Sequence, residues 1–364
     1  MMPVVWLSGT SGVGKSTAGH GMLRAMAERG VTAAFVDADQ VRLAAGVLAE
    51  ETELVASGLA ALAPRYREAG ARLLLVAGLV DGPGHLARLL PGADRERILL
   101  CHLSADAATL RERIHHRGWA VERADEAVAY AERVDTGRVD LHLDTGGMTR
   151  ERVVDHLAAV TLERLGPVLA EAAPSERAAD TARSDGRVLL VTGPGGVGTS
   201  TIGFGAFSRM AGEGHAVAYV DTRQLGLLGA DPHGRHLSGL RADNARALIG
   251  TLTAGGARTV VVGADPDTAR SLGDEAESVV LRARPATLEE RLRLRSEGVG
   301  PPLPGDPRKG IGGEGLRRAI ARSVEEGASI EARLPKARTL STDGVEPSAL
   351  VEAILEARDE PGPR

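Results

Sequence analysis

Short unbroken apolar runs recur along the chain, and between them apolar residues return every three or four positions. In the first half the runs are PVVWLS (3–8), VTAAFVD (31–37), ARLLLVAG (71–78), ERILLCHL (96–103) and VDLHLD (139–144), each predicted to be a strand. The longer period predicts helices over 15–30, in two stretches across 40–69, and over 83–91, 105–116, 122–133 and 149–165. Continuously apolar strands that alternate with amphipathic helices form a parallel sheet covered on both faces. Residues 166–186, rich in Ala, Ser, Pro and charge, keep no sustained apolar face and read as a linker.

The order of parts then repeats. RVLLVT (187–192), HAVAYVD (215–221), ARTVVVGAD (257–265), SVVLRARPATLEERLRLR (278–295) and ARTLSTDGVEPSALVEAIL (337–355) match segments of the first half in the same sequence. The interval from Gly9 to Asp37 equals that from Gly193 to Asp221. A repeat of this size is a duplicated domain rather than a solenoid unit. The expected fold class is therefore α/β, with two tandem domains that each carry a helix-covered parallel sheet. Their expected extents are 1–166 and 187–358, with a linker over 167–186 and a tail over 359–364.

The first predicted strand runs into Gly9-Thr10-Ser11-Gly12-Val13-Gly14-Lys15-Ser16-Thr17, which fits the Walker A pattern G-x-x-x-x-G-K-[ST]. Glycines let a backbone wrap a phosphate with several N–H groups turned inward, and the helix that follows adds a favourable field for an anion. Lys15 would reach the β- and γ-phosphates, and the Ser16 hydroxyl would ligate Mg²⁺. The second half carries Gly193-Pro194-Gly195-Gly196-Val197-Gly198-Thr199-Ser200. The shape and the Ser200 hydroxyl survive there, but Thr199 replaces the lysine. Lys309 or a nearby arginine could reach in from a later loop.

The second strand ends in FVDADQVR (35–42). In this topology that end converges with the phosphate loop. One of Asp37 and Asp39 can support Mg²⁺ through water while the other accepts a proton from a substrate hydroxyl, and Arg42 can hold a polar or anionic substrate. The second copy, VDTRQLG (220–226), keeps Asp221 but has Arg223 for the second carboxylate and Gly226 for the arginine. LRERIHHRGW (110–119) places Arg111, Arg113 and Arg117 on a helix and its exit, where a lid would carry arginines onto a transferring phosphate. His115 and His116 read as surface residues.

Composition narrows the field. A formal net charge of −5 offers no general nucleic-acid surface, and the single cysteine, Cys101, excludes an intramolecular disulfide. Aromatics make up only 2% of the chain, so the core has to be built from Leu, Val and Ala. There are three lysines, Lys15, Lys309 and Lys336, among 44 basic Lys and Arg residues. The only lysine of the first half thus falls where a phosphate loop requires one. No apolar run is long enough to span a bilayer and the N-terminus lacks signal-peptide features, so a cytoplasmic protein is expected.

GTSGVGKST, DADQVR, LRERIHHRG and LDT (143–145), in that order, resemble the small P-loop kinases, a group that includes adenylylsulfate, shikimate and gluconate kinases and chloramphenicol phosphotransferase. The resemblance covers about residues 3–165, and 187–357 in degenerate form. It implies an ATP- and Mg²⁺-dependent phosphotransferase with a small-molecule acceptor. It also implies that Asp39 and Arg42 face the acceptor, Asp37 lies near Mg²⁺, Arg113 and Arg117 belong to the lid, and 143–145 lies near the adenine. The strand-end D-x-D-x-x-R is most like adenylylsulfate kinase. However, AGLVDGPGHL (77–86) replaces that family's Ser-Pro-Phe type segment, which leaves the acceptor open. A GTPase is excluded, because the N/T-K-x-D motif needs a second lysine in this half. A regulatory or scaffold protein that binds ATP without an acceptor is the alternative, and the degenerate second half motivates it. The two halves are candidates for an internal pseudo-dimer.

Overall fold

A computed structural model describes residues 2–118, 121–135, 137–171, 186–273, 276–300 and 305–359. The first half contains β1 (Val4–Ser8), α1 (Lys15–Glu28), β2 (Ala33–Asp37), α2 (Ala38–Val41), β3 (Ala44–Ala45), α3 (Glu51–Glu68), β4 (Leu73–Ala77), α4 (Pro83–Leu89), β5 (Ile98–Ser104), α5 (Ala107–Arg117), α6 (Ala124–Arg133), β6 (Leu141–Asp144) and α7 (Arg150–Ala170). The second contains β7 (Arg187–Thr192), α8 (Thr199–Gly212), β8 (Val217–Asp221), α9 (Ser238–Ala254), β9 (Thr259–Ala264), α10 (Pro266–Leu272), β10 (Glu277–Arg282), α11 (Pro285–Ser296), α12 (Gly313–Arg333), β11 (Arg338–Ser341) and α13 (Pro347–Asp359).

The strands form two sheets, ordered β2-β4-β1-β5-β6 and β11-β10-β7-β9-β8-β3. Every pairing is parallel except that of β3 with β8. In each sheet the strand that precedes the glycine loop is central, so the loop emerges at the carboxyl end where neighbouring strand ends converge. The central strands are apolar on both faces, as a doubly covered sheet demands. Val4, Trp6, Leu74 and Val76 belong to one apolar cluster, and Val5, Leu7, Leu73 and Leu75 to another.

Three expectations need correction. Of the two helical stretches expected across 40–69, the second is α3, but the first shrinks to a single turn with a strand after it. The four-residue α2 is followed by β3, which leaves the first sheet and joins the second. The second sheet is consequently not purely parallel. The helix expected to end at 165 continues through Pro167 to Ala170, so 167–170 is not linker. Residues 172–185 of the expected linker and 360–364 of the expected tail lie outside the described residues.

The seam between the halves explains β3. Leu43 O accepts from Tyr219 N at 2.8 Å, and Ala44 and Ala45 pair with Ala218 and Val217 at the edge of β8. Reciprocally, Leu227 O accepts from Phe35 N and Gly229 N donates to Ala33 O, both at 2.9 Å, with Leu228 bridging Ala34 of β2. Ala44 and Leu228 are as far apart in sequence as Gly9 and Gly193, so each half lends an arm to the other's edge strand. Exchange of this kind covers open edges. Between the sheets, α3 lies on α9, and one apolar cluster runs from Leu59 and Leu62 through Leu248 and Leu252 to Val260. The buried Tyr66 hydroxyl crosses the seam to donate to Leu225 O at 2.7 Å.

A histidine on α1 also lies at this seam. His20 meets the Phe35 ring edge-on and stacks near His233, with centroids 6.4 Å apart. Burial, then His233 and Arg150, lower its pKa to about 4. On β5, burial, then His142 and Lys15, bring His102 to about 4. The unfolded chain therefore takes up protons near pH 6.5 that the folded chain refuses until about pH 4. Their contribution to stability is complete above pH 6.5 and is lost as pH falls toward 4, by about 3 kcal/mol for His20 and by less for the more solvent-screened His102. Urea midpoints measured across this range should fall with pH, and the fall should be shallower in His20→Asn. An unchanged slope in that variant would place the effect elsewhere.

Candidate functional site

The glycine loop of the first half is set by three residues with positive φ: Gly9 at 132°, Gly12 at 89° and Gly14 at 97°. Gly14 is left-handed immediately before α1, which leaves the first N–H groups of the helix open at the mouth of the loop. Gly9 also has no room for a side chain, because a Cβ there would lie 2.2 Å from Leu103 O of the adjacent β5. The Thr10 hydroxyl turns away from the mouth and donates to Ala127 O of α6 at 2.8 Å. Val13 is buried, while Ser11 and Thr17 are partly exposed at the mouth and on the first turn of α1. Lys15 folds over the loop, with Nζ donating to Gly9 O at 2.7 Å and Thr10 O at 3.0 Å. Burial lowers its pKa, Asp39 and Asp37 oppose the shift, and Arg117 adds to it. Those interactions bring Lys15, both strand-end carboxylates and Arg117 into one electrostatic neighbourhood.

Asp37 is the N-cap of α2. Its Oδ1 accepts from Asp39 N at 3.1 Å, and its Oδ2 accepts from the Ser16 hydroxyl at 2.5 Å. Burial raises the Asp37 pKa, Asp39 raises it further, and hydrogen bonds from Ser16 and the Asp39 backbone and the Lys15 charge pull it back. A carboxylate that is raised while touching a hydroxyl, with a second carboxylate beside it, is a donor set suited to a hard cation. Among the described residues no group of three or more His, Cys, Asp or Glu could hold a metal ion. A cation here would therefore need further oxygens from phosphate and water, the usual habit of Mg²⁺.

Asp39 is exposed and accepts from Arg42 Nη2 at 2.7 Å and Nε at 3.0 Å, and Arg42 Nη1 also bonds Glu51. The contacts continue around the mouth. Thr52, beside Glu51, meets His85 at 3.2 Å, His85 Nδ1 accepts from Asp81 N at 3.1 Å, and the Tyr130 hydroxyl of α6 donates to Asp81 Oδ1 at 2.5 Å. Through α6 the arc returns to Thr10. Sequence reading found Asp37, Asp39 and Arg42 but missed Glu51, Thr52, Asp81, His85 and Tyr130. No motif marks those five, and only the fold makes them neighbours.

Arg113 is not a free lid residue. Nη1 donates to Thr145 Oγ1 and Nη2 to Thr145 O, both at 2.9 Å, with Val13 O 3.5 Å from Nη1. The arginine thus ties the loop after β6 to the phosphate loop. Arg291 does the same in the second half, donating to Thr342 Oγ1 at 2.8 Å, Thr342 O at 2.9 Å and Val197 O at 3.2 Å. The same contact thus recurs at both loops, with and without the lysine. Arg117 is close enough to Lys15 to lower its pKa. Trp119, the last residue of the expected lid stretch, lies outside the described residues.

In the second half, Gly193, Gly195, Gly196 and Gly198 rebuild the loop, with φ of 86° at Gly196 and 106° at Gly198. Ser200 donates to Asp221 Oδ2 at 2.7 Å, the counterpart of Ser16 and Asp37. Thr199 begins α8 where Lys15 begins α1.

An α/β protein with a phosphate-type loop at the end of its central strand is the class that the fold and site define. No protein-family model matches the chain, and no curated protein matches it. Among solved structures it is similar to a gluconokinase from Sinorhizobium meliloti 1021, at 18% identity and a TM-score of 0.32, over 46% of this chain and 96% of that one. It is also similar to a sugar kinase from Janibacter sp. HTCC2649, at 17% identity and a TM-score of 0.32, over 48% of this chain and 99% of that one. Among the described residues no helix is long and apolar enough to cross a membrane.

Proposed function

We propose that the chain is an ATP-dependent phosphotransferase that moves the γ-phosphate to a hydroxyl of a small molecule. In this reading it consists of two tandem P-loop domains, about 1–166 and 187–358, and the first carries the reaction in the cytoplasm. The observation that carries the reading is the convergence of Lys15, the Ser16–Asp37 pair and the Asp39–Arg42 pair at one mouth. A protein that only held nucleotide would need the loop but not the exposed second carboxylate.

The loop N–H groups and the start of α1 bind the phosphates, and Lys15 exchanges the Gly9 and Thr10 carbonyls for the β- and γ-phosphate oxygens. Ser16 and Asp37 would hold Mg²⁺, which when bound neutralises charge on the transferring group. Asp39 accepts the proton of the acceptor hydroxyl, and Arg117 stands near enough to Lys15 to offset developing charge. Arg42 is already matched by Asp39 and Glu51, so a polyhydroxylated acceptor that exchanges hydrogen bonds with this trio fits better than a strongly anionic one.

Transfer of label from [γ-³²P]ATP into a pooled small-metabolite extract tests the reading. Wild type should label a small-molecule product, and Asp39→Asn should lower that rate by roughly 10²-fold or more. Binding of a non-hydrolysable ATP analogue should change little in the variant. A labelled product that forms equally fast with Asp39→Asn would remove the carboxylate from the chemistry.

A further inference from the structure

We propose that the second glycine loop is occupied by the chain itself, with side chains standing where a metal-bound nucleotide would place its charges, so that the protein binds one nucleotide per chain. Three contacts carry this. Glu326 of α12 is 6% exposed, and its Oε2 accepts from Gly195 N at 3.3 Å, a carboxylate oxygen on an N–H that such a loop otherwise offers to phosphate. Arg223 donates from Nε to Asp221 Oδ1 at 3.3 Å and from Nη2 to Asp221 Oδ2 at 3.2 Å, and it also bonds the Ser200 hydroxyl. A guanidinium thus joins the same hydroxyl and carboxylate that in the first half invite a cation. Arg308 lies over the loop, its Nη2 only 3.2 Å from the position a Gly195 Cβ would take.

The electrostatics of the two halves differ accordingly. Asp37, with a second carboxylate for a neighbour, is raised. Burial pushes Asp221 up as well, but the Arg223 charge and hydrogen bonds from Arg223 and Ser200 outweigh it and leave Asp221 below the usual range. Burial, then the Arg223 charge, lower Arg308 to about 10, while Asp306 and Glu326 oppose the shift. The group is closed mechanically too. The buried Ser323 donates to Gly195 O at 2.5 Å, one turn of α12 before Glu326, and Arg322 holds the other Glu326 oxygen at 2.8 Å. A polyphosphate entering this loop would have to displace Glu326, and a metal would have to displace Arg223.

The filling also reaches the other half. Asp306 accepts from Arg308 N at 3.0 Å and from Arg295 Nε at 2.5 Å, and Gly305 lies against His20 of α1, where a Cβ would fall 2.2 Å from Nδ1. The segment that carries Arg308 to the second loop is therefore the one that rests on the helix begun by Lys15.

Calorimetric titration of the full chain with Mg²⁺ and a non-hydrolysable ATP analogue, and of Lys15→Ala alongside it, tests the proposal. No more than one equivalent should bind to wild type, and the Lys15→Ala affinity should be at least 100-fold weaker. A second equivalent, or binding in Lys15→Ala that Ser200→Ala removes, would overturn the proposal. No binding to wild type at all would overturn the figure of one nucleotide per chain together with the phosphotransferase reading on which it rests, and the phosphate measurement below then judges the self-filled loop separately. A second measurement uses inorganic phosphate in the Lys15→Ala background. Adding Glu326→Ala, which removes the carboxylate and opens the space it fills, should make the melting temperature rise with phosphate, because Arg223 and Arg308 then face a vacated anion position. Lys15→Ala alone should show no rise. Equal responses from the two proteins would show that Glu326 does not stand in for an anion.

Discussion

Lys15→Ala should lower phosphoryl transfer by roughly 10²–10³-fold, the scale on which one charge-stabilising donor acts in a transition state. The physical reason is local. Lys15 Nζ rests on Gly9 O and Thr10 O, so its charge is already held at the mouth and needs only to exchange two carbonyls for phosphate oxygens. Burial that lowers its pKa also leaves the ammonium poorly hydrated, which strengthens any interaction it makes with an anion. No other lysine lies in this half to replace it. Thr199→Ala, at the matching position of the second loop, should leave the rate within about twofold and stability within about 0.5 kcal/mol. Steady-state ADP release by the two variants checks both statements, and a comparable loss in Thr199→Ala would end the division of labour between the halves.

Gly9→Ala should have the largest effect on the loop's structure. The added Cβ would sit 2.2 Å from the backbone oxygen of Leu103, which cannot swing aside as a flexible side chain can, and φ at Gly9 is 132°. Overpacking against a rigid neighbour and a strained backbone conformation add, for a cost of about 3–5 kcal/mol. Gly14→Ala is the control, since nothing lies within 4 Å of the position its Cβ would take and only its φ of 97° opposes the change. Urea unfolding followed by circular dichroism should show Gly9→Ala clearly less stable than Gly14→Ala. Equal midpoints would mean that β5 moves to make room.

The strands, the loop and the Asp37–Asp39–Arg42 group were legible because each has a local cause. Buried strands are apolar without interruption, a phosphate loop needs glycines at fixed intervals, and an aspartate that caps a short helix follows directly on its strand. β3 was not legible, because Ala44 and Ala45 carry no strand pattern and are extended only by the edge of β8. α12 and its Glu326 were missed for a similar reason. A glutamate on a long helix reads as solvated until the fold brings it onto Gly195 N. The bond from Arg113 to Thr145 was not legible either, because only the fold brings the loop after β6 to α5. The suggestion that an arginine near Lys309 could reach the second loop corresponds to Arg308.

The central claim is that the first half transfers phosphate to a small molecule. ADP production from Mg·ATP, with and without a pooled small-metabolite extract, for wild type and Lys15→Ala, tests it most directly. A rise on adding extract that is present in wild type and absent in Lys15→Ala is the predicted result, and fractionating the extract would then identify the acceptor. ATP that is bound or slowly hydrolysed at a rate no fraction increases would contradict the claim and favour a nucleotide-binding regulator.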